Sequence, residues 1–247
     1  MVKQNVVLLS YPRSGNTFTR YMLEYLTGLG SVGYFGVNGI KGAPKAELPL
    51  IAKSITTPFI KKLHGLNKHD INFIRLTERQ GGSIILLLRN PIETFIRHFK
   101  ITSVDQLFYC LARGDCNMFF SNLKAYDQVA GKKKMIFYEQ MINDPRAYLS
   151  ELSDFFDLPK SNLINSFIDN FNTHKKKSLN AYSELGESIT KGASVSFHTD
   201  KVFHNQKSSG ITINEINDLI FQMANGIGLS KHTLDLFSNA YGEVHEK

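Results

Sequence analysis

The chain opens on a short continuous apolar run, Asn5 to Leu9, of the kind that forms a strand buried on both faces of a parallel sheet. A polar turn, YPRSGNT, follows at Tyr11 to Thr17. Beyond it Phe18, Tyr21, Met22, Tyr25 and Leu26 recur at i, i+3, i+4, i+7 and i+8, the stripe of an amphipathic helix that closes near Gly28. Strand, glycine-containing turn and helix make the opening of a βαβ unit. A second apolar run, SIILLLR, lies between Gly82 and Pro91 and ends at Arg89; helical spacing resumes at Ile92, Phe95, Ile96 and Phe99. A third, MIFYE, covers Met135 to Glu139 after the basic cluster Lys132 to Lys134. Pro145, with Asp144 as N-cap, then starts a helix whose core face is Tyr148, Leu149, Leu152, Phe155 and Phe156. Asn214 to Ala224 and Thr233 to Tyr241 are again helical. Residues 29–58 and 172–210 carry weaker periodicity and many Gly, Ser, Lys and Asn, and are expected to form long loops and short helices near a site.

Buried-type strands separated by helices argue for a parallel α/β sheet. No repeat or linker interrupts the 247 residues, so one domain over 1–247 is expected. A 42% hydrophobic and 21% charged composition excludes disordered and collagen-like classes. The net charge of +7 points to an anionic partner: nucleic acid, an acidic membrane surface or a polyanionic small molecule. Charge alone does not choose among them. Cys110 and Cys116 lie in a segment of helical character and make no disulfide framework, which favours a reduced, cytoplasmic setting. The N-terminal apolar run is too short to span a bilayer and ends at Pro12; if residue 1 is the true start, a soluble location is expected.

The turn after the first strand carries the most chemistry. A helix N-terminus presents open backbone N–H groups and the positive end of its dipole to an anion. Gly15 allows close backbone approach, Ser14, Asn16 and Thr17 add donors, and Arg13 adds fixed charge. An ordinary capped βα turn uses the same residue types. The turn is not a Walker A loop, which needs G-x-x-x-x-G-K-[ST], because it has one glycine and no lysine before Thr17.

YPRSGNT resembles the phosphosulfate loop, Y-P-[KR]-S-G-[TN]-T, of the sulfotransferase family, and further similarities follow in the family's chain order. Alone, His64 in PFIKKLHGL reads first as a structural or solvated histidine. The resemblance matches Lys62-Leu63-His64 to the family's K-[TS]-H, which implies His64 as catalytic base and Lys62 as a stabiliser of sulfuryl oxygens. Arg89 ends a strand, where open α/β sheets place ligands, though an ion pair with Glu93 would also explain it. The family's R-[ND]-x-x-[DE]-x-x-x-S implies that Arg89 binds a 3'-phosphate; its serine falls on Arg97, which is expected to take over the contact. Tyr138 in FYEQM is similar to the tyrosine that contacts adenine in the family, with core packing as the plain alternative. NQKSSG, with Lys207, Ser208 and Gly210, is a weak match to the late R-K-G-x-x-G segment.

The resemblance implies a P-loop-like three-layer α/β/α fold with a central parallel sheet flanked by helices. It also implies transfer of a sulfuryl group from 3'-phosphoadenylyl sulfate (PAPS) to a hydroxyl or amine of a small-molecule acceptor. The product nucleotide would be PAP, Arg13 to Phe18 would line the donor site, with Arg13 also catalytic, and no metal is required. The expected partner is a small molecule, not nucleic acid or membrane, and a homodimer is compatible. Rival readings are a nucleotide or small-molecule kinase and a catalytically silent PAPS-binding protein. A nucleic-acid binder would use Lys132 to Lys134 and Lys175 to Lys177, triplets more in keeping with solvated loops. Tyr34, Phe35, Phe59, Phe108 and Phe197 are candidate acceptor-pocket aromatics.

Overall fold

A computed structural model of the chain describes residues 4–33, 49–51, 57–64, 67–158, 162–183, 202 and 210–242. In chain order its elements are β1 (Val6–Ser10), α1 (Asn16–Thr27), β2 (Ser31–Val32), β3 (Ile60–Leu63), α2 (Lys68–Arg79), β4 (Ser83–Leu88), α3 (Pro91–Phe99), α4 (Val104–Ala112) and α5 (Asn117–Gln128). They continue with β5 (Lys133–Phe137), α6 (Tyr138–Asn143), α7 (Pro145–Phe155), α8 (Asn162–Asp169), α9 (Phe171–Ser183), α10 (Ile213–Gly226) and α11 (Lys231–Tyr241).

The strands form one five-stranded sheet in the order β2-β3-β1-β4-β5. Every pairing is parallel. Residues of β1 are wholly buried because it lies at the centre, with β3 on one side and β4 on the other. Side chains alternate across a strand with period two, so β1 and β4 each supply both faces. Val7, Leu9, Ile84, Leu86 and Leu88 pack with Phe95 of α3, Leu107 of α4, Phe119 of α5, Ile220 of α10 and Phe237 of α11. Val6, Leu8, Ile85 and Leu87 pack on the other face with Met22 of α1, Leu149 of α7 and Phe167 of α8. The result is helices, sheet and helices in three layers, as expected. Among the described residues no helix is long and apolar enough to cross a membrane.

The order of the strands fixes where a ligand belongs. From β1 the chain runs outward to β2 and β3 on one side, then returns to β4 and β5 on the other. The carboxyl end of β1 is therefore the switch point at which loops diverge and leave a crevice. The buried Arg20 of α1 donates from Nε to Ser31 Oγ at 2.9 Å, and Ser31 in turn donates to Glu24. The Glu24 carboxylate also accepts from the Leu50 and Ile51 backbone at 2.9 and 2.8 Å, so one helix face organises this end of the sheet.

Three details differ from the sequence pattern. The third apolar strand is shifted: β5 runs Lys133–Phe137, and Tyr138 and Glu139 open α6. As an edge strand β5 can carry lysines, and Lys133 Nζ donates to the Tyr126 and Asp127 carbonyls at 3.1 and 2.9 Å. Residues 172–183 belong to a helix, not to a loop or short helix. Phe155 is only half-buried, leaving Tyr148, Leu149, Leu152 and Phe156 as the buried face of that segment. The Asp144 cap is as expected, its side chain accepting from the Ala147 N–H at 3.0 Å.

Candidate active site

Four strand ends meet at the switch point. β1 ends at Ser10 and leads into the turn; β3 is followed directly by His64, β4 by Arg89, and β5 by Tyr138. Register aligns Leu9 with Leu63 and Ser10 with Leu87, which brings these residues level.

In the turn Arg13 takes a left-handed φ of 71°, uncommon for a residue with a side chain, and Gly15 takes φ 86°. Gly15 is the N-cap of α1, and no side chain caps the helix there. An ordinary capped turn is thus not what forms: the helix N-terminus meets the crevice uncapped. Ser14 Oγ and Tyr11 Oη are buried without a hydrogen-bond partner among the described residues, a cost of about 1–3 kcal/mol each. A Cβ at Gly15 would lie 2.3 Å from Tyr138 Cδ2, so only glycine lets that ring rest on the loop.

His64 is held from two sides. Its Nδ1 is 3.1 Å from the Ser10 carbonyl oxygen and 3.4 Å from Ser10 Oγ. A bond to a carbonyl requires the proton on Nδ1, which leaves the lone pair on Nε2. From α5, Asn122 donates from Nδ2 to the His64 carbonyl at 3.0 Å. Burial, and then the positive charge of Lys62, push the His64 pKa down to about 3. Lys62 is 2% exposed, so β3 buries its second lysine at the same strand end as the histidine. Tyr11, directly after Ser10, meets His98 of α3 edge-on at 5.2 Å; burial and then Arg13 lower the pKa of that second imidazole.

The other half of the site is a set of guanidiniums. Arg89 stacks over the Tyr138 ring at 4.3 Å from its centre, and its Nη1 donates to the Arg13 carbonyl at 3.4 Å. Glu93 on the first turn of α3 lies 3.6 Å from Arg89 Nη2 and 2.9 Å from Arg97 Nε. Arg89 Nε is buried with no hydrogen-bond partner among the described residues. Burial and then Arg97 pull the Arg89 pKa below its ordinary value. Glu139 braces the arrangement, accepting from the Asn90 N–H at 2.8 Å and from Tyr241 Oη at 3.2 Å.

Arg13, Gly15, Asn16, Thr17, Phe18, Tyr138 and Lys175 line a cavity of about 180 Å³ over the start of α1. A larger groove of about 510 Å³, between α2 and α5, contains none of the chemistry-bearing residues named above. An uncapped helix end facing a cation-lined crevice, with a half-buried neutral imidazole beside it, suits transfer of an anionic group to a nucleophile.

Comparison with known proteins decides the class of that transfer. A protein-family model described as a sulfotransferase domain matches residues 3–218. The chain belongs to the sulfotransferase family. A crystal structure of a mouse sulfotransferase complexed with PAP superposes with a TM-score of 0.56 at 16% identity, covering 96% of this chain and 89% of that one. The sulfotransferase domain of the Synechococcus PCC 7002 olefin synthase gives 0.50 at 16% identity, covering 92% and 95%. At such identities these likenesses concern the fold. No curated protein sequence matches the chain.

In this sulfotransferase the structure brings together Arg13, Gly15 to Phe18 and Tyr138 around one cavity, with Ser14 buried within the same turn, Lys62 with His64 beside Ser10, and Arg89 with Arg97 through Glu93. Lys207 and Ser208 lie outside the described residues, as do Tyr34, Phe35 and Phe197. Gly210 is exposed, with φ 68°. Phe59 packs on Phe73 with ring centres 6.1 Å apart, and Phe108 is on the surface. Sequence reasoning missed Asn122 and Lys175. Asn122 is a buried amide within the apolar run Phe119, Phe120, Leu123, a position that demands a hydrogen-bond partner.

Proposed function

We propose that this sulfotransferase uses PAPS as its donor and sulfates a hydroxyl or amine of a small-molecule acceptor. The observation that carries the reading is the uncapped α1 N-terminus, with the buried Ser14 hydroxyl, unpaired among the described residues, at its edge. His64 stands one strand away, bonded to Ser10. PAPS would supply the sulfuryl group; the residues of the chain bind, orient and move one proton. The loop N–H groups with Ser14, Asn16 and Thr17 would hold the phosphosulfate. Arg13 and Lys62 would offset charge on the oxygens that develop it, the term that contributes most in such reactions. His64 Nε2 would take the proton of the acceptor, because Nδ1 is already committed to Ser10. Tyr138, stacked under Arg89, offers a ring face at the strand end for the adenine.

The test is thermal stabilisation by PAP compared with ATP and Mg²⁺. PAP at a hundred times its Kd should add about 2.7 kcal/mol, and preference for ATP with Mg²⁺ would overturn the reading in favour of a kinase. A loop without a lysine before Thr17 already disfavours the kinase.

Arg97 would hold the 3'-phosphate together with Arg89, releasing part of its hold on Glu93. Its replacement by alanine should weaken PAP about tenfold or more, since a charge-assisted bond to phosphate is among the stronger ones. Adenosine 5'-phosphate, which lacks the 3'-group, should bind the variant and the parent alike. Equal losses for both nucleotides in calorimetry would show that Arg97 acts only through Glu93.

A further inference from the structure

The lysine triplet of α9 does not behave as a solvated run. Over residues 171–180 of this helix Phe171, His174, Lys175 and Ser178 are the residues withdrawn from solvent, spaced i, i+3, i+4 and i+7, whereas Lys176 and Lys177 are exposed. That spacing is one face of a helix, so the first lysine of the triplet points to the body of the protein and the next two away from it. The face is anchored firmly. His174 stacks on Phe167 with ring centres 4.3 Å apart and planes 5° from parallel, and its Nδ1 lies 3.0 Å from Tyr21 Oη of α1. Phe171 meets Phe18, in the first turn of α1, edge-on at 5.3 Å. The register of α9 against α1 is thus set by the turn that leads into Lys175, and Lys175 lines the cavity with Arg13, Gly15 to Phe18 and Tyr138.

The geometry points to Lys175 as a phosphate-binding residue of the donor site, contributed by α9 rather than by the loop or by the late glycine segment. The inference rests on the PAPS reading above. The loop lacks the lysine that other phosphate-binding turns of strand-loop-helix form carry before the helix, and Lys175 supplies an ammonium to the same cavity from a helix packed across it. The cavity is lined by the first residues of α1, so the group recognised is the 5'-phosphate, seated on the N-terminal N–H groups, and not the 3'-phosphate near Arg89 and Arg97. A lysine is suited to this position. An apolar stem can lie along a cavity that also contains the rings of Phe18 and Tyr138 while the head reaches an anion as a mobile point charge.

Binding calorimetry with PAP, adenosine 5'-phosphate and adenosine 3'-phosphate tests the assignment without relying on turnover. Lys175→Met keeps the stem and removes the charge; it should weaken PAP and adenosine 5'-phosphate by about tenfold to a hundredfold and leave adenosine 3'-phosphate unchanged. Lys175→Arg should restore most of the loss, and Lys176→Ala, one residue away on the exposed side, should bind like the parent. Ligand-free melting temperatures of Lys175→Met and the parent should agree. Unchanged PAP affinity in Lys175→Met would overturn the assignment while leaving the donor reading intact. A loss confined to adenosine 3'-phosphate would overturn the choice of phosphate. Failure of the parent itself to bind PAP would remove the donor reading, and this one with it.

Discussion

Replacing His64 by alanine is expected to lower kcat by about a hundredfold to ten-thousandfold, the range that a positioned acid–base group contributes, with PAP affinity unchanged. The separation follows from the geometry. His64 lies at the end of β3 next to Ser10, while the cavity over α1 is lined by Arg13, Gly15 to Phe18, Tyr138 and Lys175 and not by the imidazole. A variant that binds PAP like the parent and turns over a competent acceptor at the parent's rate would show that another group takes the proton. The protonation state can be read independently. With its pKa lowered from 6.5 to about 3 by burial and by Lys62, the ligand-free imidazole should stay neutral between pH 8 and 5. Its ring proton resonances should then show no midpoint near 6.5. Stability follows the same linkage. The unfolded chain binds a proton at His64 below pH 6.5 and the folded chain does not, so this residue's contribution is complete above 6.5 and is lost as pH falls toward 3. Comparing melts at pH 7 and pH 5, the parent should lose more than His64→Gln. A titration at 6.5 would mean that the ring is solvated and the Ser10 contact transient.

Much of this site was legible in the sequence because its parts carry patterns of their own. VVLLS is a strand buried on both faces, the following turn has a glycine at the one position where the backbone is left-handed against an aromatic ring, and α1 repeats at helical spacing. Asp144 before Pro145 announced a helix start that the structure reproduces. What was not legible depends on tertiary contact. β2 has two residues, too few for periodicity, and β3 reads IKKL, whose second lysine is buried only because the strand ends at the crevice. The inward face of α9 is largely polar, with His174, Lys175 and Ser178 beside Phe171, so a hydrophobic pattern is mute where a hydrogen bond and a stacked ring fix the helix. Tyr138 was legible as a site residue but not as the first residue of a helix, since MIFYE is equally apolar as a strand throughout. Arg97 shows the same limit: its position eight residues after Arg89 placed it near the site, but that both arginines share Glu93 is a matter of side-chain geometry.

Gly15→Ala should reduce PAP affinity by about a hundredfold or more, and it separates two demands on the same residue. The first is conformational. At φ 86° an L-residue bears a cost of about 1–2 kcal/mol that glycine does not. The second is steric: the new Cβ would stand 2.3 Å from Tyr138 Cδ2 and 2.6 Å from Cε2. Retreat of the ring is opposed by Arg89, whose guanidinium lies 4.3 Å from its centre and is tied to the Arg13 carbonyl and to Glu93. One methyl group therefore strains the backbone that must present its N–H groups to the donor, and also shifts the ring and the guanidinium that flank it. Since each 1.4 kcal/mol is tenfold in affinity, the conformational cost alone accounts for roughly one of the two decades and displacement of the ring must supply the other. Measuring PAP binding in Gly15→Ala, Tyr138→Ala and the double variant resolves them. Removal of the ring relieves the clash and leaves φ as it is, so the double variant should bind PAP less weakly than the two single losses combined would give, the coupling expected of groups in contact. Strict additivity would show that Tyr138 yields freely and that the backbone conformation alone requires glycine. Binding at parental strength in Gly15→Ala would overturn the close approach of the donor to this loop.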